Sequence, residues 1–170
     1  MSGKLKYATV NIGKGWVGML ASANGLLATT LPQSSAGEAS RLLGIGANQA
    51  VFSLELFADL VERFKLYFTG EKVNFPDELD LSGATPFQRR VWERTRFIPY
   101  GETKSYLWVA RQIGKPGAAR AVGQALGKNP LSIIVPCHRV IASDGGLGGF
   151  GGGVEMKKYL LRLENSVGFR

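Results

Sequence analysis

The sequence predicts a two-part α/β protein, with a small sheet and helices in its first half and a helical second half. Short apolar runs separated by glycine-containing turns fill the first part of the chain, and a helical apolar stripe follows. Helix starts and stops then recur through the second half. We expect an N-terminal domain at 1–82, with a connector at about 70–82, and a C-terminal domain at 83–170.

Strands and helices are both expected in the first half. The apolar runs at 6–12, 15–21 and 25–31 are strand candidates, and Asn24-Gly25 suits a tight hairpin. A weak helix is expected at 38–43. A stronger one is expected at 50–68, where apolar residues recur at four-residue steps. These residues are Phe52, Leu56, Leu60, Phe64 and Phe68.

Helices and loops alternate in the second half. Thr85-Pro86 begins a helix, because threonine can cap it and proline is tolerated at the first position. Helices at 103–113 and 118–127, joined by a glycine-containing turn, form a helix-turn-helix candidate. An apolar, strand-like run at 131–135 precedes a loop with seven glycines at 143–153. The last helix is expected at 155–163, with an apolar face of Met156, Tyr159, Leu160 and Leu163.

The net charge of the protein lies in its second half. Of the overall charge of +8, residues 1–82 contribute −1 and residues 83–170 contribute +9. A basic half indicates a polyanionic partner, most simply nucleic acid. On the third helix of this half, Arg120, Gly123, Gln124 and Gly127 share one face. Glycine weakens a helix, so its use on this face suggests close approach to another backbone.

The chain contains one cysteine and one histidine, and they are neighbours at Cys137 and His138. A thiolate is a strong nucleophile and imidazole titrates near neutral pH, so the pair is a candidate for nucleophilic chemistry. A single cysteine excludes an internal disulfide and a multi-cysteine metal site. It also favours a reducing, intracellular compartment. No signal peptide is visible, and no apolar run approaches 18 residues.

Several motifs of the second half occur together in one known family. They are Thr85-Pro86-Phe87-Gln88, Pro99–Thr103 with Ser105-Tyr106, Ala119–Gly123, Asn129-Pro130, Ile133–Ile141 and Lys157–Glu164. In these motifs the chain resembles the O6-alkylguanine-DNA alkyltransferases, which repair alkylated guanine. The resemblance covers Thr85–Glu164 and implies a winged-helix-like helix-turn-helix. The first 80 residues resemble only the general layout of the family's ribonuclease-H-like N-terminal domain.

The resemblance implies DNA repair by direct reversal at Cys137. The alkyl group of O6-alkylguanine, with O4-alkylthymine as a second candidate, would be transferred irreversibly to the cysteine sulfur. His138 would act as a base through a bound water, and Glu164 would orient the imidazole. Tyr106 would donate to the leaving base, and Asn129 would brace the turn before the cysteine. The thioether product means one repair per molecule, and the resemblance implies no cofactor and no metal.

The resemblance also implies how DNA would be held. Arg120 would enter the position vacated by the flipped base, with its helix in the minor groove. The other expected DNA contacts are Ala119, Ala121, Gly123, Gln124, Lys128 and Arg139. The expected substrate-pocket residues are Val140, Phe150, Gly151, Gly152, Leu126 and Ser132. Phe150-Gly151-Gly152 stands where many members have Tyr-Ser-Gly.

Three alternatives remain at the level of sequence. Alkyltransferase-like proteins bind the same lesion without removing it, but usually have tryptophan at the cysteine position. A Cys-His hydrolase would leave the arginine helix unexplained, and a helix-turn-helix regulator would read the major groove as a dimer. The preferred hypothesis is a cytoplasmic, monomeric protein whose partner is double-stranded DNA containing O6-alkylguanine, with no membrane partner.

Overall fold

The computed structural model describes residues 4–44 and 49–165. Contacts between Cα atoms divide the chain into two compact units. One contains the residues up to Ser82 together with Pro130–Ser132, and the other contains Gly83–Asn129 and the residues from Ile133 onward. Six α-helices and a four-stranded sheet within the described residues confirm the predicted mixed α/β class. None of these helices has the length and apolar character needed to cross a membrane.

The N-terminal unit is built on a sheet of order β3–β2–β1–β4, in which β4 is Ala50–Phe52. Strands β1 (Leu5–Asn11), β2 (Trp16–Ser22) and β3 (Gly25–Thr29) form the antiparallel meander that the turn residues predict. Gly25 has a φ of +146°, and a Cβ at this position would lie 2.7 Å from the carbonyl oxygen of Glu78. The hairpin therefore requires glycine, because a later segment of the same unit lies against it.

The helix expected at 50–68 is only partly present. Ala50–Phe52 form β4, parallel to β1, and the helix α2 spans Ala58–Phe68 after a 3-10 turn. The prediction was wrong at 50–57 because the edge of β1 offers backbone partners to this segment. The Phe52 ring also packs edge-on against Tyr7, at 5.5 Å between centroids. The four-residue spacing of Phe52 and Leu56 is coincidental, since both side chains are exposed.

Helices cover the N-terminal sheet region as their apolar positions predict. Helix α1 (Ala36–Leu42) begins at Ser35, whose hydroxyl accepts from the Glu38 N–H. Helix α2 buries one face, and Phe64 on that face lies 5.4 Å from the ring of Phe75. The buried residues of α2 are Leu60, Val61, Phe64, Tyr67 and Phe68.

The core of the C-terminal unit is formed by α3 (Pro86–Thr95), α4 (Tyr106–Gln112) and α5 (Ala119–Gly127). A capping box between Thr85 and Gln88 begins α3, as the Thr85-Pro86 pair predicts. Trp92 Nε1 donates to the carbonyl of Ala125 at 2.8 Å, which joins α3 to α5. The residues buried in this core are Val91, Trp92, Val109, Ala110, Val122, Ala125 and Leu126.

Helix α4 begins three residues later than predicted. Lys104–Ser105 form a short strand, β5, which pairs in parallel with β6 (Val140–Ile141). The Ser105 hydroxyl then caps α4 by accepting from the Trp108 N–H at 2.9 Å. This pairing brings Tyr106, the first residue of α4, close to the segment that follows Cys137.

The last helix, α6 (Val154–Leu163), buries a different face from the predicted one. Lys157, Leu160 and Leu161 are buried, and so is Glu164, the residue that follows the helix. Of the predicted apolar face, only Leu160 is fully buried. The face differs because Lys157 and Glu164 have buried polar partners inside the unit, which hold the helix in this orientation.

The strand-like run expected at 131–135 is absent. Leu131 makes a single bridge to Thr29, and residues 132–134 form a turn. The Thr29 hydroxyl donates to the Ser132 carbonyl at 2.8 Å, which fixes the turn instead of a ladder. Ile133, which is buried, has a φ of +74°. A β-branched residue rarely adopts this conformation, so burial of its side chain must offset the strain.

Candidate active site around Cys137

A cavity of about 660 Å³ in the C-terminal unit has Cys137 in its wall. Three segments surround the cysteine: the start of α4, one face of α5, and the glycine loop, by which we mean residues 142–153. The lining residues are Tyr106, Leu107, Ala119, Arg120, Gly123, Gln124, Leu126, Gly127, Cys137, Ala142, Ser143, Gly148, Gly149, Phe150 and Gly151. The fold thus brings nine of the residues expected in catalysis, DNA binding or the substrate pocket to one cavity.

Cys137 begins a 3-10 turn, Cys137–Arg139, and its thiol is free. Asn129 Nδ2 lies 3.3 Å from the sulfur and donates to the carbonyl of Val135 at 2.9 Å. The asparagine therefore ties the end of α5 to the segment that carries the cysteine. This contact fits the bracing role that the resemblance implies for Asn129.

The thiol of Cys137 is the resting form at neutral pH. Burial raises the pKa of Cys137, and this outweighs the Asn129 hydrogen bond and the charge of Lys157, which act in the opposite direction. Because a thiol is a much weaker nucleophile than a thiolate, a base must remove its proton before it attacks.

The carboxylate of Glu164 collects the polar groups behind the cysteine. Its Oε2 lies 2.7 Å from His138 Nε2 and 3.0 Å from a guanidinium nitrogen of Arg139. Its Oε1 accepts from Arg139 Nε at 2.8 Å and from the Gly101 N–H at 3.3 Å. His138, Arg139 and Glu164 are all buried. One carboxylate therefore fixes the imidazole, the guanidinium and the turn at Gly101.

This cluster sets the protonation of His138. Burial raises the pKa of Glu164, but the hydrogen bonds and charges of His138 and Arg139 outweigh it, and the net direction is downward. Burial lowers the pKa of His138 by more than the Glu164 hydrogen bond raises it. An ionised carboxylate can only accept, so Nε2 carries the proton and the second ring nitrogen, Nδ1, is the basic one.

Arg139 does not fit the expected role of a DNA contact. Its guanidinium donates to the Glu164 carboxylate and, at 2.8 Å, to the carbonyl of Ile98. The guanidinium also lies 5.7 Å from the centroid of the Tyr100 ring. A side chain held inside the unit in this way cannot reach a phosphate. The expectation was wrong because charge alone does not distinguish a surface arginine from one that holds a buried carboxylate.

Tyr106 is held between α5 and the glycine loop. Its ring lies 3.6 Å from the position of a Cβ at Gly123, and a Cβ at Gly148 would lie 2.8 Å from Tyr106 Cε2. Gly148 has a φ of +70°. Both glycines therefore allow backbone to approach the aromatic ring closely, which explains part of the glycine content of α5 and the loop. Burial raises the pKa of Tyr106, so its hydroxyl stays protonated at neutral pH.

Helix α5 presents its polar side chains to solvent beside the cavity. Arg120, Gln124 and Lys128 are exposed, while Ala119, Ala121 and Gly123 are half-buried. Gln124, Ala121 and Lys128 also line a shallow groove against the start of α3. Arg120 thus stands among small residues on an accessible face, as the sequence indicated.

Three predicted pocket residues do not line the cavity. Ser132 belongs to the N-terminal unit, where its carbonyl accepts from Thr29, and Val140 is fully buried. The Val140 carbonyl accepts from Lys157 Nζ at 2.7 Å. Gly152 is exposed next to the lining residue Gly151 but is outside the lining set. These residues were expected in the pocket from the resemblance, and the sequence does not show whether a residue faces the cavity.

Sequence reasoning missed Lys157. Its side chain is completely buried and reaches the glycine loop, Val140 and Tyr106. The available signal was a lysine three residues before Leu160 on α6, on what proves to be the buried face. Within residues 4–44 and 49–165, no group of three or more His, Cys, Asp or Glu side chains is placed to hold a metal ion.

Comparison with known proteins identifies a single family. Residues 86–166 match the 6-O-methylguanine DNA methyltransferase, DNA binding domain. The methylated-DNA–protein-cysteine methyltransferase of Mycolicibacterium paratuberculosis is 58% identical over 108 residues, which are 64% of this chain and 65% of that protein. That of Methanosarcina acetivorans is 46% identical over 112 residues, 66% of this chain and 71% of that protein. The match thus spans slightly less than two thirds of the mycobacterial relative.

Solved structures extend the similarity to both units. The crystal structure of Mycobacterium tuberculosis OGT in complex with DNA has a TM-score of 0.79 and 42% identity, covering 94% of this chain and 92% of that one. A methyltransferase of Pyrococcus kodakaraensis has a TM-score of 0.67 at 30% identity, covering 94% of this chain and 98% of that one.

Removing Arg139 tests the buried cluster. We expect Arg139→Met to lower the free energy of unfolding by about 3 kcal/mol or more, because Glu164 keeps a buried charge without its guanidinium. The matched change Arg120→Met, at an exposed position, should alter it by less than about 0.5 kcal/mol. Urea unfolding followed by circular dichroism measures both values. Equal small effects would show that the cluster does not stabilise the fold.

The pH dependence of stability reports on His138. Its pKa in the folded protein is below the unfolded value of about 6.5, so the unfolded chain binds more protons once the pH falls below about 6.5. The stabilisation is fully present above that pH and is lost as the pH falls toward the lower folded pKa. We expect urea unfolding to give a smaller free energy at pH 5.5 than at pH 7.5, and His138→Gln to remove this difference. An equal or larger value at pH 5.5 in the unaltered protein would contradict the assignment.

Proposed function

The chain belongs to the 6-O-methylguanine DNA methyltransferase family, and on this premise we propose that it repairs DNA by moving the alkyl group of O6-alkylguanine to the sulfur of Cys137. The observation that carries the proposal is the position of the chain's single cysteine, in the wall of a cavity bordered by the exposed face of α5. O4-alkylthymine is a second candidate substrate within the same proposal.

The chemistry begins with removal of the Cys137 proton. In this step the Cys137 proton passes through a water to Nδ1 of His138, which is the basic ring nitrogen. Glu164 stabilises the imidazolium that forms. The thiolate then attacks the alkyl carbon. A sulfur–carbon bond forms, the carbon–O6 bond breaks, and its electron pair passes to the purine. Tyr106, whose hydroxyl is protonated, donates a proton to the leaving base.

The same bond change limits the protein to one repair. A thioether lacks the reversible chemistry of a disulfide or a sulfenic acid, so the sulfur is not regenerated. With one cysteine in the chain, no second acceptor is present. The protein is thus consumed stoichiometrically, and the reaction requires neither cofactor nor metal in this proposal.

Helix α5 is the proposed DNA-binding element. Its small residues permit a close approach in the minor groove, and Arg120 is long enough to occupy the space left by a flipped base. Ala119, Ala121, Gly123, Gln124 and Lys128 complete this surface. The minor groove carries little sequence information, which suits a protein that must act at any lesion.

The walls of the cavity would hold the flipped base. Phe150 offers an aromatic face for stacking, and Leu126 closes the apolar side. Gly151 and Gly152 have no side-chain hydroxyl, so only their backbone N–H groups could bond the base. We assign residues 83–170 to DNA binding and transfer, and a cytoplasmic location, where a free thiol is kept reduced.

Intact-mass measurement tests the proposal. We mix the protein with a duplex oligonucleotide containing one O6-methylguanine and expect an added mass of one CH₂ group, localised to Cys137. The addition should saturate at one per molecule because the sulfur is not regenerated. The same duplex with guanine should give no adduct.

The control variant Cys137→Ala should bind the lesion duplex without changing it. Lesion binding by the unaltered, folded protein without an adduct would favour the alkyltransferase-like alternative. Multiple turnover would favour a hydrolase, and either result would refute the proposed transfer.

A further inference from the structure

Lys157 carries a buried positive charge that the chemistry described so far does not use. Its side chain is fully buried on α6. Among the described residues, no carboxylate lies within ion-pair distance of the Lys157 ammonium. The neighbouring Lys158, by contrast, pairs with Glu155. An ammonium buried without an anion is costly, so its presence calls for a functional explanation.

Oxygen atoms from three segments surround the ammonium. Lys157 Nζ lies 2.7 Å from the Val140 carbonyl and 3.4 Å from that of Gly149, and it also bonds the Leu147 carbonyl. The hydroxyl of Tyr106 is 3.4 Å away. Four oxygens are thus available to three N–H groups, and the lysine joins β6, the glycine loop and the start of α4.

The same ammonium faces the two aromatic rings of the cavity. It lies 5.7 Å from the centroid of Tyr106 and 6.0 Å from that of Phe150. The loop backbone at Gly148 lies against the Tyr106 ring. The same Lys157 ammonium therefore holds the glycine loop and orients the Tyr106 side chain.

The charge that complements Lys157 arises during the reaction. Burial lowers the pKa of Lys157 to about 8, so the ammonium is still the main form at neutral pH. The negative charge of the reaction leaves the sulfur, reaches the purine and ends on Tyr106 when the purine takes the phenol proton. A fixed cation beside Tyr106 stabilises that final distribution without having to reorganise.

We infer that Lys157 is a positioning residue that acts through Tyr106, holding its hydroxyl against the glycine loop so that it can donate to the leaving purine. As the carbon–O6 bond breaks, its electron pair passes to the purine and the purine takes the Tyr106 proton. The phenolate that remains is stabilised by the Lys157 ammonium. This inference rests on the proposed function and deepens it by adding a residue to the leaving-group side.

A double-mutant cycle tests the inference. We expect Lys157→Met to lower the single-turnover rate constant for methyl transfer from O6-methylguanine DNA by about 10- to 100-fold, a part of what general acids contribute. In a Tyr106→Phe background, Lys157→Met should lower the rate constant by less than about threefold, because the Tyr106 hydroxyl through which Lys157 acts is absent. The matched control, Lys158→Met, should leave the rate constant unchanged.

A second assay separates the leaving group from the nucleophile. Alkylation of Cys137 by iodoacetamide releases iodide and needs no proton donor, so Lys157→Met should slow it much less than it slows methyl transfer. Lys157→Gln is tested as well, because glutamine keeps N–H donors for the loop carbonyls but removes the positive charge. It provides a second variant without the charge in case Lys157→Met does not fold. Thermal melting identifies which variants are folded.

Each outcome decides the inference. Equal slowing of both assays would place Lys157 on the sulfur side, and equal slowing with and without the Tyr106 hydroxyl would show that it does not act through Tyr106. Either result, or unchanged transfer in a folded variant without the charge, overturns the inference alone. Absence of transfer by the unaltered protein would overturn the proposed function and this inference together.

Discussion

The carboxylate of Glu164 accepts from His138 Nε2, from two guanidinium nitrogens of Arg139 and from the backbone N–H of Gly101. A buried carboxylate is tolerated only when donors of this kind replace its water. Because those donors come from the 3-10 turn at Cys137 and from the turn after α3, the end of α6 holds both in place. The position of the cysteine against the cavity depends on this arrangement.

The two buried cations of the site differ in their partners. Arg139 pairs with Glu164, whereas Lys157, among the described residues, faces carbonyl and hydroxyl oxygens and two aromatic rings but no carboxylate. Arg139 therefore stabilises the buried Glu164 carboxylate, while burial keeps the His138 imidazole neutral. In the proposed reaction Lys157 is placed to stabilise charge that forms only as the alkyl group is transferred, as electrostatic preorganisation requires. Arg139 thus has a structural role, and we assign a functional one to Lys157.

Local signals in the sequence predicted most of the fold. The helix start at Thr85-Pro86 and the Asn24-Gly25 turn depend on a few neighbouring residues, so sequence alone locates them. The errors have distant causes: residues 50–57 are directed by the free edge of β1, and the 131–135 turn by the hydroxyl of Thr29.

The sequence also predicted only part of the candidate site. The residues around Cys137 were found through the family resemblance, which rests on short motifs that can be recognised in the sequence. The role of Arg139 was wrong and Lys157 was missed, since a buried charge cannot be distinguished from an exposed one before its partners are known.

Glu164 holds His138 as a neutral base in a single tautomer. Because the chain has one histidine, nitrogen-15 NMR of the imidazole reports on this residue alone. At pH 7.5 we expect a protonated Nε2, strongly hydrogen-bonded, and an unprotonated Nδ1. A doubly protonated imidazolium, or a ring with its proton on Nδ1, would contradict it.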